Sequence, residues 1–339
     1  MPAHGVLLSL EPTNWRAAVR RDTPFTPTGQ ITCSLPYPRE TRGTGRKTCA
    51  SNRIRAQCCA TILIEVRGRA RKHVRRLKAT FMAYTEEQAA HLVEESSNVS
   101  RELQTLMLQT VMQGQTSTDK HVREHVVHGA ARRLRTLERG ISNIFALFPP
   151  SAHQPLPKAV VGDLQVNLHA FLINLSGIFD NWAWAYVMRH QLLERIGDRR
   201  GVGLFTDATR KYLPRELRDY LVSKETSGWH SDYLKSFRDA LAHRIPPYIP
   251  PATFTPEDGE KYNHLESEKM ECIKRMDWLR LEEIEHEQPL IGKPCFTFLH
   301  SYAEDDAPTV LRLHPQVLSD ARTIVEFGSL FLEHWGKYA

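Results

Sequence analysis

Three side chains able to carry acid–base and electrostatic chemistry lie close together in one segment: Arg238, Asp239 and His243. In a helix turning about 100° per residue, Arg238 and His243 fall about 140° apart, at the two edges of one polar face. An imidazole transfers protons near neutral pH, and a guanidinium stabilises developing negative charge. Asp239, one turn before His243, is placed to orient the imidazole. Ala242 lies between them and is small, so it leaves room for a phosphate or a second helix. The alternative interpretation of Arg238, Asp239 and His243 is a solvated helix face with a weak salt bridge.

The segment that carries these residues has the pattern of an amphipathic helix over about residues 228–244. Its apolar side chains form one arc at helical spacing: Trp229, Tyr233, Leu234, Phe237, Ala240 and Leu241. The helix end favours a protonated imidazole at His243, because the last carbonyl dipoles point towards it. The run from Ile245 to Pro251 contains four prolines, which cannot continue a helix. The sequence therefore predicts a sharp helix end, with the proline run as a rigid stop.

Helical patterns also surround this segment. Thr85 and Gln88 predict a capping box at the start of a helix. The longest helix is predicted over about 163–195, where two apolar rows indicate burial on more than one side. Further helices are predicted at about 119–148, 207–224, 257–287 and 317–335, and a β-hairpin at 295–301 and 309–313 around the acidic turn Glu304–Asp306. The predicted fold class is all-α, with a small late β-hairpin.

The charge distribution divides the chain near Met82. Residues 1–81 hold 16 Lys and Arg against 4 Asp and Glu, a net charge of +12. The remaining residues hold 29 of the 45 basic and 35 of the 39 acidic side chains, a net charge of −6. We interpret 1–81 as an irregular basic extension that contributes little to the fold. It is either a nucleic-acid-binding arm or non-native sequence upstream of a true start at Met82. Within it, Ala60–Val66 is a possible strand.

The remaining chain is predicted to comprise N-terminal helices and a Pro-rich linker at 82–157, followed by a helical domain at 158–339. No apolar run is long enough for a membrane span and no signal-peptide pattern is present, which predicts a cytoplasmic protein. The cysteines show no Cys-x-x-Cys spacing and are expected to be free thiols: Cys33, Cys49, Cys58, Cys59, Cys272 and Cys295.

A short match to a zinc-peptidase pattern occurs earlier in the chain. His121, Glu124 and His125 have the His-x-x-Glu-His spacing, and His128 adds a third histidine on the same face. Matches of five residues are common by chance, and the large mixed α/β architecture of such peptidases is not indicated. We therefore interpret these residues as a solvated helix face and predict neither a metal nor a cofactor.

The Arg-x-x-x-x-His arrangement, with a polar residue directly after the arginine and a position near the end of a bundle helix, resembles the HEPN superfamily. Arg238, Asp239 and His243 carry the resemblance, which covers about residues 160–290. A string of the same kind also occurs in uncharacterised bacterial HEPN-like proteins. The resemblance implies a HEPN-like helical bundle, here with additional N-terminal helices. An Asp after the arginine is a departure from the Asn associated with active nucleases of the superfamily.

The resemblance implies a metal-independent endoribonuclease that cleaves single-stranded RNA through the 2′-hydroxyl, with a site shared between two copies of a homodimer. His243 is then the general acid or base, Arg238 stabilises the phosphorane, and Asp239 positions His243. The alternative is a non-catalytic HEPN-like interaction module that binds an unidentified protein partner through the same residues. The acidic balance of the body favours this alternative.

Overall fold

The computed structural model describes residues 83–300 and 309–337. The expectations for 1–81, for the strand at Ala60–Val66 and for the turn at Glu304–Asp306 fall outside these residues. The described chain is mainly helical and contains one two-stranded sheet. The predicted fold class is thereby confirmed at the level of helices with a late β-hairpin.

The N-terminal part of the described chain forms two long helical stretches. Helix α1 (Glu86–Gln115) begins with the predicted capping box between Thr85 and Gln88. The second stretch runs without interruption through α2 (Lys120–Arg123), a π-helical segment (Glu124–Ala130) and α3 (Ala131–Leu147). Its start is stabilised by the Asp119 carboxylate, which accepts the backbone N–H groups of the first turn.

Helix α4 (Lys158–Arg189) is the central element. Its buried residues are spread over two faces, as the two apolar rows predicted, because α3 and the C-terminal helix both pack against it. The helix begins directly after Pro157, a few residues before the predicted start. It ends before the predicted Arg195, since Gln191 adopts a positive φ of 53° that an α-helix cannot accommodate.

Short helices connect α4 to the motif segment: α5 (Leu193–Ile196), a 3₁₀ turn (Arg199–Gly201), α6 (Asp207–Arg210), α7 (Arg215–Val222) and α8 (Lys224–Gly228). The single helix expected at 207–224 is divided because Pro214 interrupts the backbone hydrogen-bond ladder before α7. A second π-helical segment (Trp229–Leu234) then leads into α9 (Lys235–His243), which carries the motif.

The helix predicted at 257–287 is a helical hairpin. It consists of α10 (Pro256–Arg275) and α11 (Trp278–Glu287), followed by a 3₁₀ turn (Gln288–Leu290). The break falls at Met276, whose left-handed conformation (φ 56°) ends α10. The hairpin has a small apolar cluster of its own, formed by Leu265, Cys272, Ile284 and Ile291.

The hairpin predicted late in the chain is present. Strands β1 (Thr297–His300) and β2 (Thr309–Arg312) pair antiparallel, with Thr297 opposite Arg312 and His300 opposite Thr309. Helix α12 (Leu313–Glu333) closes the chain. One large hydrophobic core joins α1, α3, α4, α7, α9, β1 and α12, so the helix that carries the motif is part of this core. Cys272 and Cys295 are free, as predicted for these two, and both are buried.

Candidate functional site

Helix α9 presents Arg238, Asp239 and His243 on the side that turns away from the core. Phe237 and Ala240 are buried on the opposite side, as the apolar arc predicted. The side chains of Arg238 and Asp239 keep 42% and 33% of their surface exposed, and His243 is exposed in the last turn. The arginine and the histidine are therefore both accessible to a ligand from solvent.

Asp239 contacts Arg238 within the motif. Nε of Arg238 lies 3.2 Å from Oδ1 of Asp239, but this buried N–H makes no hydrogen bond, so the contact is an ion pair without the alignment of a hydrogen bond. Within the described part of the chain, His243 makes no hydrogen bond or ion pair. In this arrangement Asp239 orients the guanidinium rather than the imidazole.

The end of α9 is held by contacts of the proline run that follows it. Tyr248 exchanges two backbone hydrogen bonds with Leu299 of β1, at 3.0 and 2.9 Å. His169 of α4 donates from Nε2 to the Pro247 carbonyl oxygen at 2.7 Å. The proline run is thus attached to the sheet and to the central helix, which fixes the position of His243 relative to both.

The beginning of the motif helix is held by a buried carboxylate. Asp320 of α12 has no exposed surface and accepts hydrogen bonds from Trp229 Nε1 at 2.9 Å, Tyr233 Oη at 2.6 Å and Gln316 Nε2 at 2.8 Å. Burial raises the pKa of Asp320 to about 6, and the three donors act against this rise. Since Trp229 and Tyr233 belong to the π-helical segment directly before α9, Asp320 fixes the entry into the motif helix.

Two further titratable groups are close to Arg238. The pKa of Asp180 on α4 is raised because the surrounding helices desolvate it, even though part of its side chain stays exposed, while positive Arg238 and Arg133 act in the opposite direction. Burial, together with the positive charges of Lys235 and Arg238, lowers the pKa of His230 to about 4. His230 is therefore neutral at pH 7, and its ring stacks on Phe205 with 3.6 Å between centroids.

Asp180 and Arg133 were not predicted as site residues. For Asp180 the sequence did contain a signal, because four polar side chains recur at helical spacing within the core helix α4: Asn167, Asn174, Asp180 and Asn181. Read from the sequence, these residues argue only that the helix is not a membrane span. Arg133 gave no such signal, because several arginines occur on the same helix and only the packing of α3 on α4 distinguishes it.

The histidines of the zinc-peptidase-like pattern do not converge. The ring of His125 lies against Trp184 with 5.8 Å between centroids, and His128 contacts Arg132 at 3.1 Å. In residues 83–300 and 309–337, no group of three or more His, Cys, Asp or Glu side chains is arranged to hold a metal ion.

Comparison of the chain with protein-family models, with curated proteins and with solved structures finds no significant match. Over the part of the chain that the structure describes, every helix is too short or too polar to cross a membrane.

Proposed function

We propose that this protein is a metal-independent endoribonuclease built on a HEPN-like helical bundle. The observation that carries the proposal is the exposure of Arg238 and His243 on one face of α9, a helix whose two ends are fixed by Asp320 and by the proline run. A fixed, accessible pair of one guanidinium and one imidazole has the two chemical functions that phosphodiester cleavage needs. An RNA substrate is consistent with the cytoplasmic location expected from the sequence.

In the proposed reaction the 2′-hydroxyl of the RNA is the nucleophile. Its oxygen forms a bond to the adjacent phosphorus, its proton passes to a base, and the bond from phosphorus to the 5′-oxygen breaks as that oxygen gains a proton. The products are a 2′,3′-cyclic phosphate and a 5′-hydroxyl. His243 acts in one of these proton transfers and Arg238 stabilises the charge of the phosphorane. Asp239 holds the guanidinium of Arg238 in place.

A second copy of the chain is part of the proposal. Arg238 and His243 lie at opposite edges of the polar face, about 140° apart around the helix, so one copy does not direct both groups at one phosphate from the same side. Ala242, which is small and exposed between them, allows the polar face of a second motif helix to approach. Light scattering at micromolar concentration should show a homodimer, and a strict monomer would contradict the composite site.

A specific observation favours the alternative, a non-catalytic interaction module with a protein partner. Asp239 lies 3.2 Å from Arg238, and Asp180 is also close enough to interact with it electrostatically. Two carboxylates near one guanidinium reduce the positive potential that would attract a phosphate. In this alternative, Arg238 and His243 contact an acidic or polar surface of the partner.

Incubation of the purified protein with single-stranded RNA in the presence of a chelator distinguishes these functions. We expect cleavage to a 2′,3′-cyclic phosphate, no cleavage of DNA, and a loss of rate of about 10²–10⁴ in His243→Ala and in Arg238→Ala. His264→Ala and Arg139→Ala change exposed residues of the same types on α10 and α3 and serve as controls. Cleavage that survives both motif substitutions, or inactivity on RNAs of varied sequence, would contradict the nuclease and favour the interaction module.

A further inference from the structure

An exposed strip of α4 lies beside the motif helix. Ile173, Gly177, Asp180 and Trp184 follow one another at spacings of three and four residues on the side of α4 that turns away from the core, and we refer to them as the α4 strip. At about 100° per residue, Asn174 and Asn181 fall on one side of the strip and His169 on the other. The side of the strip that carries Asn174 and Asn181 packs against α3, and the side that carries His169 contacts the chain directly after α9. The strip therefore runs between α3 and the end of the motif helix.

Arg133 of α3 is held over this strip in a fixed orientation. Its Nε donates to Oδ1 of Asn181 at 2.8 Å, and its Nη1 donates to Oδ1 of Asn174 at 3.0 Å. The guanidinium lies against Gly177, where the position of a Cβ atom would be only 2.5 Å from Cζ of Arg133. The absence of a side chain at Gly177 therefore creates the space that this arginine occupies.

The acceptors that hold Arg133 are neutral amides, so its hydrogen bonds do not neutralise its positive charge, and the exposed carboxylate of Asp180 interacts with it electrostatically without forming a salt bridge. Among the described residues Arg133 forms no salt bridge, and its Nη2 makes no hydrogen bond. A guanidinium that is preorganised, partly exposed and not paired in a salt bridge has the properties of a phosphate ligand.

Arg133 and Arg238 belong to two helices that both pack against α4. Both interact electrostatically with Asp180 of the α4 strip. Each arginine also follows a π-helical segment closely, and such segments are frequent at functional sites. One turn further along α4, the guanidinium of Arg199 lies 5.6 Å from the centre of the Trp184 ring, so this end of the strip carries a basic side chain paired with an aromatic one.

We propose that the α4 strip binds the phosphodiester backbone of single-stranded RNA, with Arg133 contacting a phosphate next to the one bound by Arg238. This inference rests on the proposed function, because it supplies the substrate path to the motif helix. Asp180 is the one acidic group of the strip and opposes binding, so a bound phosphate has to lie nearer to the arginines than to its carboxylate.

Binding of a short single-stranded 2′-O-methyl oligonucleotide, followed by fluorescence anisotropy over a salt series, tests the inference separately from cleavage. The blocked 2′-oxygen cannot act as the nucleophile, so affinity is measured without turnover. Arg133→Gln should weaken binding about tenfold, as loss of a charge-assisted contact predicts. It should also reduce the slope of log K against log salt by about 0.7, the contribution of one phosphate contact on a single strand. Asp180→Asn should strengthen binding.

Arg139→Gln is the matched control, because it removes the same charge from an exposed position on the other side of α3 and should change affinity less than about twofold. The opposite signs expected for Arg133 and Asp180 separate phosphate binding from a purely structural role, since loss of structure weakens binding in both variants. Equal behaviour of the Arg133 and Arg139 variants, weaker binding by Asp180→Asn, or no binding by the wild type would overturn the inference. Oligonucleotide binding that depends on Arg133, without any cleavage of RNA, would support RNA binding by the α4 strip and contradict the proposed nuclease activity.

Discussion

The buried carboxylate of Asp320 gives a pH-dependent prediction whose magnitude follows from its environment. Its pKa is about 6 in the folded protein against an ordinary value of 3.8, because the folded state buries it completely. A carboxyl whose pKa is raised on folding binds a proton more tightly in the folded state, so its contribution favours the fold at low pH and is lost as pH rises through 6. The effect grows as pH falls from 7 towards 3.8.

Asp320→Asn removes this titration and keeps the shape of the side chain. Between pH 7 and pH 5 the Asp320 carboxyl of the wild type becomes mostly protonated in the folded state, whereas it stays ionised in the unfolded state. At 1.36 kcal/mol per pKa unit, this stabilises the wild type by about 1.3 kcal/mol relative to the variant. Other titrating groups are common to both proteins and cancel in the difference.

Urea denaturation of both proteins at pH 5, 6 and 7 measures this difference. We expect the free energy of unfolding of Asp320→Asn, minus that of the wild type, to become more negative by about 1.3 kcal/mol from pH 7 to pH 5. A difference that does not change with pH, or that changes in the opposite direction, would refute the reasoning. The opposite direction would mean that the hydrogen bonds from Trp229, Tyr233 and Gln316 stabilise the carboxylate more than burial destabilises it.

Three further measurements address other parts of the structure. The wild type should lose stability as pH falls from 7 to 5. Burial lowers the pKa of His314 to about 4, and a group with a lowered pKa stabilises the fold only above its unfolded value, so His314 alone should reduce the free energy of unfolding by about 2 kcal/mol. This loss exceeds the gain of about 1.3 kcal/mol from Asp320, and the lowered pKa of His230 adds to it, so constant or rising stability in urea denaturation would contradict the prediction. Gly177→Ala should displace the guanidinium of Arg133 and cost about 1–3 kcal/mol in urea denaturation, whereas Gly162→Ala, on the same helix with open space around it, should be neutral or stabilising by up to about 1 kcal/mol. Gly328→Ala should destabilise by about 1–3 kcal/mol in the same assay, because the added Cβ would lie 2.6 Å from Leu106, and a neutral result would show that α1 and α12 can separate at little cost.

The elements that could be predicted from the sequence are those whose signal is local. The capping box at Thr85, the apolar rows of α4 and the two late strands on either side of an acidic turn each depend on residues a few positions apart. The break of the hairpin at Met276 was missed, because a left-handed residue that is not glycine has no clear sequence signal. The two π-helical segments were missed for the same reason, since one extra residue in a turn hardly alters the apolar spacing.

The surroundings of the candidate site could not be predicted, because they depend on packing between distant parts of the chain. Arg238, Asp239 and His243 lie on one helix, so their common face follows from spacing alone. Asp180 and Arg133 come from two other helices, and Asp320 lies about eighty residues after the motif. Contacts at such separations depend on which faces of the helices meet. The spacing of Asp239 and His243 also allowed a contact between them, but the closer guanidinium of Arg238 is the group that Asp239 contacts.

The acidic balance of the body, which favours the interaction module when it is read from composition, has a different meaning once the fold is known. The helical hairpin and its turn at residues 256–287 contain 11 acidic and 5 basic side chains, a balance of −6. This equals the whole balance of residues 82–339, so the remainder of that segment is neutral. The hairpin has its own apolar cluster, separate from the core that contains α4 and α9. Charges more than a Debye length of about 8 Å apart are largely screened, so the charged groups next to Arg238 matter more than the net charge, and these include Asp239 and Asp180. Net charge alone therefore does not decide whether RNA binds at this site, and the sign of the Asp180→Asn effect is the measurement that decides it.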